Sequence, residues 1–566
     1  MKYGSREIDI NIWDGEKLGY YVAIDTETEY IKDVEIPDII TCQVYSGKHA
    51  YYIPIDRIQE FINLHDKSIF VFANAPFDLD VLNKCSNWDY FPKVDEGGVF
   101  DIQIMYRLHK LATEGLIPFK YSLARLAKEF LHLELDKNED IRCNFAQFKD
   151  KPITHIPNDF LEYGAMDVVA TYDIFNILLG EIKENFPTSN VLGHMYQIKG
   201  AVALHHIRRN GIGFNLKKAK SYLKEIYRKM YSISEILATY GWVRGEKGGK
   251  KRFNSIIDRA GIKLPKTESG DYSSKEKDLI KYRDNYFIQN YLTYISLEKC
   301  TTFIRNITTS RVHPRYTLLK NTGRTSCSSP NFQQLPREGD IRSMFCADEG
   351  KTFLITDYSA IELGTLAQVL YSRYGANEMQ KRINAGEDLH KYYASVLYNI
   401  PVEEVTKAQR QSAKAANFGF PGGLGIHTFI EFAEGYGLKL TEEVAQNMKN
   451  QWFNAFPVMK KYLRGEEGFV ETLTKRMRAN TTYCQEKNTP FQGLAADGAK
   501  IALYDLIKVG YKVVGFVHDE IITEVDENKA EELLDLQEHI MVASMKSVVP
   551  DVDVSVESNV SKEYCK

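Results

Sequence analysis

The chain has 566 residues, of which 44% are hydrophobic and 26% are charged. This is ordinary globular composition and excludes long-range disorder. A chain of this length is too long for one hydrophobic core, so about two to four domains are expected. The net charge of −4 excludes a uniformly basic nucleic-acid-binding protein, so any basic surface must be local.

The cysteines and the N-terminus predict the cellular compartment. The eight cysteines include no Cys-x-x-Cys pair, so neither a zinc site nor a disulfide framework is predicted. The N-terminus has no apolar leader, and the sequence contains no apolar run of 18 residues. These features predict a cytoplasmic protein without membrane contact.

In the first third of the chain, carboxylates follow predicted strands. Residues 20–24 form an apolar run and lead into Asp25 and Glu27. These two side chains face the same side because side chains alternate along a strand. A second apolar run is followed by Asn74 and Asp78. Taken singly, each carboxylate is better explained as a surface residue or a helix cap than as a metal ligand.

A predicted helix farther along carries Tyr163 and Asp167 one turn apart on the same face. The order Asp-x-Glu, Asn-x-x-x-Asp and Tyr-x-x-x-Asp resembles the three motifs of the DEDD 3′→5′ exonucleases, in the variant with tyrosine. The resemblance implies two Mg²⁺ ions about 4 Å apart on hard oxygen ligands, with Tyr163 orienting the attacking water. Asp101 also matches a family position, and we expect it to support the fold. The implied metal ligands are Asp25, Glu27, Asp78 and Asp167.

The middle of the chain is locally basic. Residues 217–252 contain eleven Lys and Arg against three Glu, a pattern that a solvated helical face explains as well as a nucleic-acid contact does. Residues 206–213 resemble the start of the polymerase region in bacterial DNA polymerase I relatives. In that family a basic thumb grips the duplex backbone. The connection over residues 291–313 leaves no room for the thumb insertion with which some phage enzymes bind thioredoxin.

Residues 321–336 are rich in turn-forming and amide side chains. Amides suit hydrogen bonds in the DNA minor groove, where the acceptors depend little on sequence. The segment resembles the TGR…PN-Q-P segment of family A DNA polymerases. This resemblance implies contacts to the primer-template from Arg324, Asn331 and Gln333.

Two further carboxylate motifs lie in the second half of the chain. An apolar run ends at Asp357 before a predicted helix, and two apolar runs meet at His518-Asp519-Glu520. These stretches resemble motifs A and C of family A polymerases, in which nucleotidyl transfer uses two Mg²⁺. The resemblance implies Asp357 and Asp519 as ligands of both ions. It adds the Tyr358 carbonyl as a further oxygen and Glu520 as an accessory catalytic residue.

A helix between these motifs is predicted to carry Arg410, Lys414 and Phe418 on one face. Two cations and an aromatic ring suit a triphosphate and a base or sugar, although a mixed amphipathic surface helix is the alternative. The stretch resembles motif B, which implies catalytic and nucleotide-binding roles for both cations. Phe418 then predicts discrimination against dideoxynucleotides, and Glu362 is expected to exclude a 2′-hydroxyl.

Other positions match the family near the triphosphate or the primer-template. His390 is implied in nucleotide binding, although a single histidine is more often a packed core residue. The implied DNA contacts are Asn488, Gln492 and His518.

Three positions depart from the family. Ala360 and Gly364 stand where the family usually has Gln and Arg, and Gly422 stands where it has a tyrosine near the templating base. Loss of that ring predicts a reshaped pocket for the nascent base pair. One hypothesis is adaptation to modified bases.

The predicted fold is an α/β multidomain chain. An RNase H-like exonuclease domain (residues 1–190) precedes a right-hand polymerase (residues 191–566), and no 5′-nuclease domain is expected. Within the polymerase, we expect the thumb at about 205–320, the fingers at about 366–464, and the palm at about 321–365 and 465–566.

The predicted function is template-directed DNA synthesis from dNTPs with 3′→5′ proofreading, in a monomeric, phage-type enzyme. Mg²⁺ is the expected cofactor, two ions per site, with Mn²⁺ able to substitute; the accessory replisome proteins are unknown. One alternative is a single-subunit RNA polymerase-like enzyme, against which Glu362 and residues 518–520 argue. The other is a nuclease or binding protein with an inactive polymerase site, which would gain nothing from like charges gathered beside phosphate.

Overall fold

The computed structural model describes residues 1–32, 34–135, 141, 144–336 and 340–565. An N-terminal domain is built around a six-stranded sheet, and a second region is built around a four-stranded sheet with helical units beside it. Within the described part of the chain, none of the helices combines the length and the apolar character needed to cross a membrane.

The N-terminal domain begins with strands β1 (Lys2–Tyr3) and β2 (Arg6–Glu7). It continues with β3 (Ile10–Ile12), β4 (Tyr21–Thr28), β5 (Ile39–Tyr45), β6 (Ala50–Ile53), β7 (Ile69–Phe72) and β8 (Val99–Asp101). The sheet has the order β3-β6-β5-β4-β7-β8. Because β4, β7 and β8 run parallel, their carboxyl ends lie at the same edge of the sheet.

The helices of this domain pack around the sheet and are α1 (Ile58–Leu64), α2 (Ala75–Ser86), α3 (Phe91–Asp95), α4 (Ile102–Glu114), α5 (Leu123–Leu126) and α6 (Asn158–Asn185). Asp101 caps the N-terminus of α4, where its carboxylate accepts hydrogen bonds from the backbone N–H groups of Gln103 (2.8 Å) and Ile104 (3.1 Å). It also accepts from the N–H of Ala75 at 2.9 Å. Asp101 therefore fixes α4 relative to α2, which is the supporting role expected for it.

Helix α7 (Asn190–Asn210) connects the two regions, and its first turn is interrupted by left-handed backbone at residues 191–193. His194 is buried, stacks on Phe100 with ring centroids 4.7 Å apart, and accepts the N–H of Asp101 at 3.1 Å through Nε2. Burial lowers the pKa of His194 to about 3. The ring is therefore neutral at physiological pH and acts as an acceptor in the domain core.

The same helix holds α2 through a buried carboxylate. Asp80 on α2 is 3% exposed, and His205 and His206 approach it at 3.2 and 3.5 Å. Arg209 forms an ion pair with the same carboxylate. Burial by itself raises the pKa of Asp80, but the hydrogen bonds from the two histidines outweigh it and hold that pKa well below its usual range. Asp80 is therefore ionised and held in place from α7.

The next region is mainly helical and contains α8 (Leu216–Thr239), α9 (Gly249–Arg259), α10 (Glu276–Leu279) and α11 (Tyr286–Ile304). These helices share a separate apolar cluster, in which the ring of Tyr291 lies 5.2 Å from Trp242 and 5.0 Å from Phe253. Short strand pairs join this unit to the rest of the chain. They are β9 (Ile212–Gly213) with β10 (Arg311–Val312), and β11 (Arg315–Thr317) with β12 (Ser326–Ser328).

The second large sheet contains β13 (Lys351–Tyr358), β16 (Val513–Val517), β17 (Glu520–Asp526) and β18 (Val556–Ser561). All of its pairings are antiparallel, in the order β16-β17-β13-β18. A separate hairpin is formed by β14 (Val470–Glu471) and β15 (Met477–Arg478).

Helices follow between and after these strands. They are α12 (Ile361–Tyr374), α13 (Glu378–Asn384), α14 (Leu389–Tyr398), α15 (Lys407–Gly419), α16 (Ile426–Glu434), α17 (Glu442–Ala455), α18 (Met459–Tyr462), α19 (Tyr483–Lys508) and α20 (Ala530–Lys546). Helix α19 packs against α12, α20 and the connecting helix α7. Most buried residues of the N-terminal domain join one face of the second sheet in a continuous apolar cluster, and the other face of that sheet belongs to a second cluster.

We predict that His194 makes the protein sensitive to acid. Between pH 6.5 and pH 3 the unfolded chain protonates this ring and the folded chain does not, so stability falls as the pH drops through that range. From pH 7 to pH 5 the loss is about 2 kcal/mol. His194→Gln should remove this contribution of His194 to the pH dependence, about 2 kcal/mol, while keeping an acceptor for the N–H of Asp101.

The measurement is the urea-unfolding midpoint at pH 7 and at pH 5. The control is His155→Gln at an exposed position, which should keep the pH dependence of the unchanged protein. Equal acid sensitivity in the two variants would contradict the proposed contribution of His194 to the loss of stability in acid.

Candidate active sites

The first candidate site lies on β4 and α6. Strand β4 includes Asp25 and Glu27 and continues to residue 28, so it is longer than the run predicted from the sequence. Carboxylate oxygens of Asp25, Glu27 and Asp167 all lie within 4.8 Å of one another. Tyr163 precedes Asp167 by one turn of α6. The structure therefore brings together three of the four predicted ligands.

The fourth predicted ligand lies beside this group. Asp78 on α2 is 3% exposed, and its Oδ1 accepts from the N–H of Thr26 at 3.1 Å and from the Thr26 hydroxyl at 2.7 Å. Burial raises the pKa of Asp78 well above its usual range, and the charge of Asp25 adds to this rise. Asp78 is thus near Asp25 and bonded to the residue between the two strand carboxylates.

Buried carboxylates of this kind need a positive charge or protons. Burial raises the pKa of Asp25 to about 7, against the opposing effect of a hydrogen bond from Gln43. A divalent cation fits the donor set because hard oxygen ligands are what Mg²⁺ prefers. A bound cation would favour the ionised carboxylates that burial disfavours.

The second candidate site depends on strand register. In the pairing of β13 with β17, Asp357 lies directly opposite Glu520. Asp519 occupies the turn between β16 and β17 next to His518, which has left-handed backbone with φ of 63°. Asp357 and Asp519 both line a cleft of about 1110 Å³. The strands and the carboxylate turn are where the sequence predicted them.

The cleft collects most of the predicted polymerase residues. Those that line it are Arg324, Gln333, Asp357, Tyr358, Glu362, His390, Arg410, Lys414, Phe418, Gln492, His518 and Asp519. The other three predicted residues are not among its lining residues. Asn331 lines a cavity beside α11, and Asn488 donates to the Cys484 carbonyl at 2.8 Å. Glu520 is 2% exposed and accepts from the Tyr564 hydroxyl at 2.6 Å.

Two arginines of the cleft are paired with carboxylates. Arg410 donates from Nε to Asp388 at 2.7 Å, and Arg324 forms an ion pair with Glu362. Burial lowers the pKa of Arg324, while the charge of Asp519 acts in the opposite direction. Phosphate groups that enter this cleft therefore compete with carboxylates for the guanidinium groups.

His390 lies at the base of the cleft, where it is 4% exposed and its ring centroid is 5.5 Å from that of Phe418. Its Nδ1 is 3.0 Å from Nδ2 of Asn417, whose Oδ1 accepts from the Trp452 indole at 2.9 Å. Burial lowers the pKa of His390 to about 4, although the charge of Asp388 opposes this. His390 is therefore neutral at physiological pH and can donate one hydrogen bond into the cleft.

Comparisons with known proteins identify the family of the chain. Residues 249–566, more than half of the chain, match "DNA polymerase family A", and residues 11–183 match "3'-5' exonuclease". The chain belongs to DNA polymerase family A. It carries out template-directed DNA synthesis and has a 3′→5′ exonuclease domain for proofreading. The family assignment favours DNA synthesis over the RNA polymerase-like alternative.

Similar proteins are bacterial. DNA polymerase I of Aquifex aeolicus (strain VF5) is 29% identical, with 96% of both chains covered. DNA polymerase I of Borreliella burgdorferi is 27% identical over 94% of this chain, which spans 62% of that relative. The POL domain of Pol1 from M. smegmatis, solved in complex with DNA primer-template and dNTP, has a TM-score of 0.72. At 20% identity and 96% and 95% coverage, that structure shows a shared fold.

Several residues that support the sites of this family A polymerase were not predicted. Gln43 on β5 lies opposite Asp25 in the strand register and donates to it at 2.7 Å. Its only sequence signal is an amide inside an apolar strand. Asp388 caps α14 and pairs with Arg410. Its capping role could have been predicted from the sequence, because an aspartate just before a helix is a common N-cap.

The departures from the family have different structural settings. A Cβ at Gly422 would lie 2.4 to 2.9 Å from side-chain atoms of Asn488, so the amide occupies the space beside the glycine. A Cβ at Gly364 would meet only Ile361 at 4.0 Å. A side chain at position 422 must therefore displace the Asn488 amide, whereas one at position 364 meets no obstacle.

We predict that Gln43→Leu reduces exonuclease activity by about 10- to 100-fold, because the amide orients and stabilises the ionised Asp25. DNA extension should not change. The assay is shortening of a 5′-labelled single-stranded oligonucleotide, with Gln59→Leu at a partly exposed position on α1 as the control. Equal exonuclease rates in the two variants would exclude a role for Gln43.

We also predict that Gly422→Ala is destabilising. The Asn488 amide must move and lose its hydrogen bond to the Cys484 carbonyl, which costs about 1 kcal/mol. Asn488→Ala in the same chain should offset the steric part of this loss. The control is Gly249→Ala at the first residue of α9, since a Cβ there meets no atom within 4 Å and the backbone is not left-handed. Equal unfolding midpoints for the two single variants would contradict the packing argument.

Proposed function

We propose that the cleft on the second sheet is the nucleotidyl-transfer site and that Asp357 and Asp519 are its metal-binding carboxylates. The observation that carries the proposal is the strand register. It brings the end of β13 beside the turn between β16 and β17, in a cleft shared with the cationic face of α15. Carboxylates on one wall and cations on the other suit a metal–triphosphate complex.

The cationic wall is proposed to bind the incoming dNTP. Arg410 and Lys414 lie one turn apart on α15 and offer charge-assisted hydrogen bonds to phosphate oxygens. Phe418 and the neutral His390 lie farther along this wall, near the sugar and the phosphates. Glu362, at the start of α12, is placed to exclude a 2′-hydroxyl, and its pairing with Arg324 holds the carboxylate in the cleft.

Hydrogen bonds to core residues hold the carboxylate wall in place. Tyr358 donates its hydroxyl to the Met541 carbonyl at 2.6 Å, which turns its side chain into the core and leaves its backbone at the cleft. Glu520 is held by Tyr564, so we assign it an accessory part in positioning the turn. The hard oxygen donors at this wall fit Mg²⁺, with Mn²⁺ as a substitute. Bound Mg²⁺ would activate the primer 3′-hydroxyl and neutralise the triphosphate.

The primer-template is proposed to contact the cleft through Arg324, Gln333, Gln492 and His518. Asn331 and Asn488 lie outside the cleft lining, so contacts from them are proposed for DNA next to the nascent pair. The assignments of thumb, palm and fingers stay predictions, as do a monomeric, cytoplasmic protein and a phage origin.

The N-terminal site is proposed to remove nucleotides from a 3′ end. Asp25, Glu27 and Asp167 would hold Mg²⁺, with Asp78 beside them as the fourth predicted ligand. Tyr163 is one helical turn from Asp167 and is proposed to orient the attacking water. Gln43 and Thr26 orient the carboxylates of Asp25 and Asp78 through the hydrogen bonds described above.

The test is extension and shortening of a 5′-labelled DNA primer on a DNA template with Mg²⁺. Asp357→Ala should lose extension by at least about 1,000-fold and keep shortening. Asp25→Ala should show the reverse. Asp535→Ala, at an exposed position on α20, should keep both activities. Extension by Asp357→Ala at the rate of the unchanged protein would overturn the assignment of the polymerase site.

A further inference from the structure

We propose that Arg476 and Lys500, two buried basic side chains behind the polymerase cleft, are positioning residues that orient Arg324 and Gln492 toward the primer-template. Their side chains are 1% and 0% exposed, and neither lines the cleft, so they cannot touch DNA themselves. The proposal rests on the DNA contacts proposed above for Arg324 and Gln492. It adds the groups that hold those two residues from inside the protein.

Arg476 is anchored by a buried carboxylate. It lies at the end of the turn between β14 and β15, and its Nη1 donates to both carboxylate oxygens of Asp497 on α19, at 2.5 and 2.7 Å. Asp497 also accepts hydrogen bonds from Thr474 at 2.5 Å and from Gln197 of α7 at 2.9 Å. Donors from the hairpin and from α7 therefore fix the carboxylate, and the carboxylate fixes the guanidinium group.

The other side of the guanidinium group lies against two glycines. A Cβ at Gly323 or at Gly493 would overlap Nη2 of Arg476, so each α-carbon packs directly on that nitrogen. Gly323 has left-handed backbone with φ of 91° and immediately precedes Arg324. Gly493 immediately follows Gln492 on α19. One guanidinium group thus contacts the backbone beside both proposed DNA contacts.

Lys500 holds the backbone next to Arg324 by a hydrogen bond. Its Nζ donates to the Gly323 carbonyl at 2.7 Å and to Gln197 Oε1 at 2.7 Å. Burial lowers the pKa of Lys500 to about 7, and the charged and the neutral amine can both donate these bonds. The peptide group that joins Gly323 to Arg324 is therefore held by Lys500, which fixes the direction in which the Arg324 side chain leaves the backbone.

Gly493 shows that this close approach has a cost. It lies in the interior of α19, where glycine lowers helix stability relative to alanine. Alanine is disfavoured here because the guanidinium group of Arg476 fills the space that a Cβ would need. Such departures from the most stable choice are expected near functional sites. The functional group next to Gly493 is Gln492, which lines the cleft.

Loss of Arg476 should therefore leave the metal-binding carboxylates in place and loosen the two residues that contact the primer-template. Small errors in the alignment of reacting groups have large effects on rate. Extension of a primer should slow for this reason. Removal of nucleotides at the N-terminal site should not slow, because the carboxylates of that site include none of these residues.

The test variants are Arg476→Met and Lys500→Met, each in the full chain. Each leaves Asp497 beside the remaining basic group, since Lys500 Nζ is 3.7 Å from that carboxylate, so both variants should fold. The control is Lys93→Met, which removes a buried lysine that donates to the Asp66 carbonyl in the N-terminal domain.

The first measurement compares extension of a matched DNA primer with shortening of a single-stranded oligonucleotide by the same preparations. Arg476→Met should lower kcat/KM for extension about 10- to 100-fold, while shortening stays within about twofold. Lys500→Met should show the same selective loss, and Lys93→Met should keep extension within about twofold of the unchanged protein. Equal losses of extension and shortening in both test variants, or unchanged extension in both, would overturn the proposal.

A second measurement tests whether Arg476 acts through Arg324 and Gln492. In a chain that already carries Arg324→Ala and Gln492→Ala, adding Arg476→Met should change kcat/KM for extension by no more than about twofold. A further loss of about tenfold or more in that background would overturn the positioning role, while the DNA contacts proposed for the two residues would stand. If the chain with Arg324→Ala and Gln492→Ala extends DNA as well as the unchanged protein, those DNA contacts fail, and the positioning role fails with them.

Discussion

The repulsion between carboxylates held close together at strand ends constrains both candidate sites. Two acidic side chains on β4 share one small volume with a third on α6, and this crowding of like charges makes their ionised forms costly. The surrounding structure supplies what offsets this cost. Gln43 donates a hydrogen bond to Asp25, and Thr26 donates one to Asp78. A bound cation would offset the remaining negative charge.

The polymerase cleft meets the same constraint with a different arrangement. Strand register sets its negative wall, and helix α15 supplies its positive wall. The guanidinium groups of Arg324 and Arg410 are paired with Glu362 and Asp388. Binding of a nucleotide is therefore an exchange of ionic partners, in which phosphate oxygens replace carboxylates. Such an exchange favours a ligand with several negative charges over one with a single charge.

The sequence predicted the features that depend on local pattern. Apolar runs that end in acidic residues indicated β13 and the turn between β16 and β17, and the spacing of Arg410, Lys414 and Phe418 indicated one face of α15. It did not predict partners that are distant in the chain. Gln43 contacts Asp25 because of the strand register. Glu362 contacts Arg324 because of the position of a loop. Neither contact produces a periodic pattern in the sequence from which it could be predicted. The structural setting of Gly422 likewise depends on a residue distant in the chain, Asn488, whose side chain fills the space beside it.

The ion cluster around Asp80 determines how far the two activities can be separated. The predicted domain boundary at residue 190 lies before α7, yet three basic side chains of α7 surround this carboxylate on α2. A nuclease fragment cut at that boundary would keep a buried charge without its partners, which costs roughly 3–5 kcal/mol. Helix α2 also carries Asp78, so the loss would reach the catalytic centre. The connecting helix α7 thus stabilises the N-terminal domain as well as the polymerase region. An excised nuclease must therefore retain this helix through Asn210.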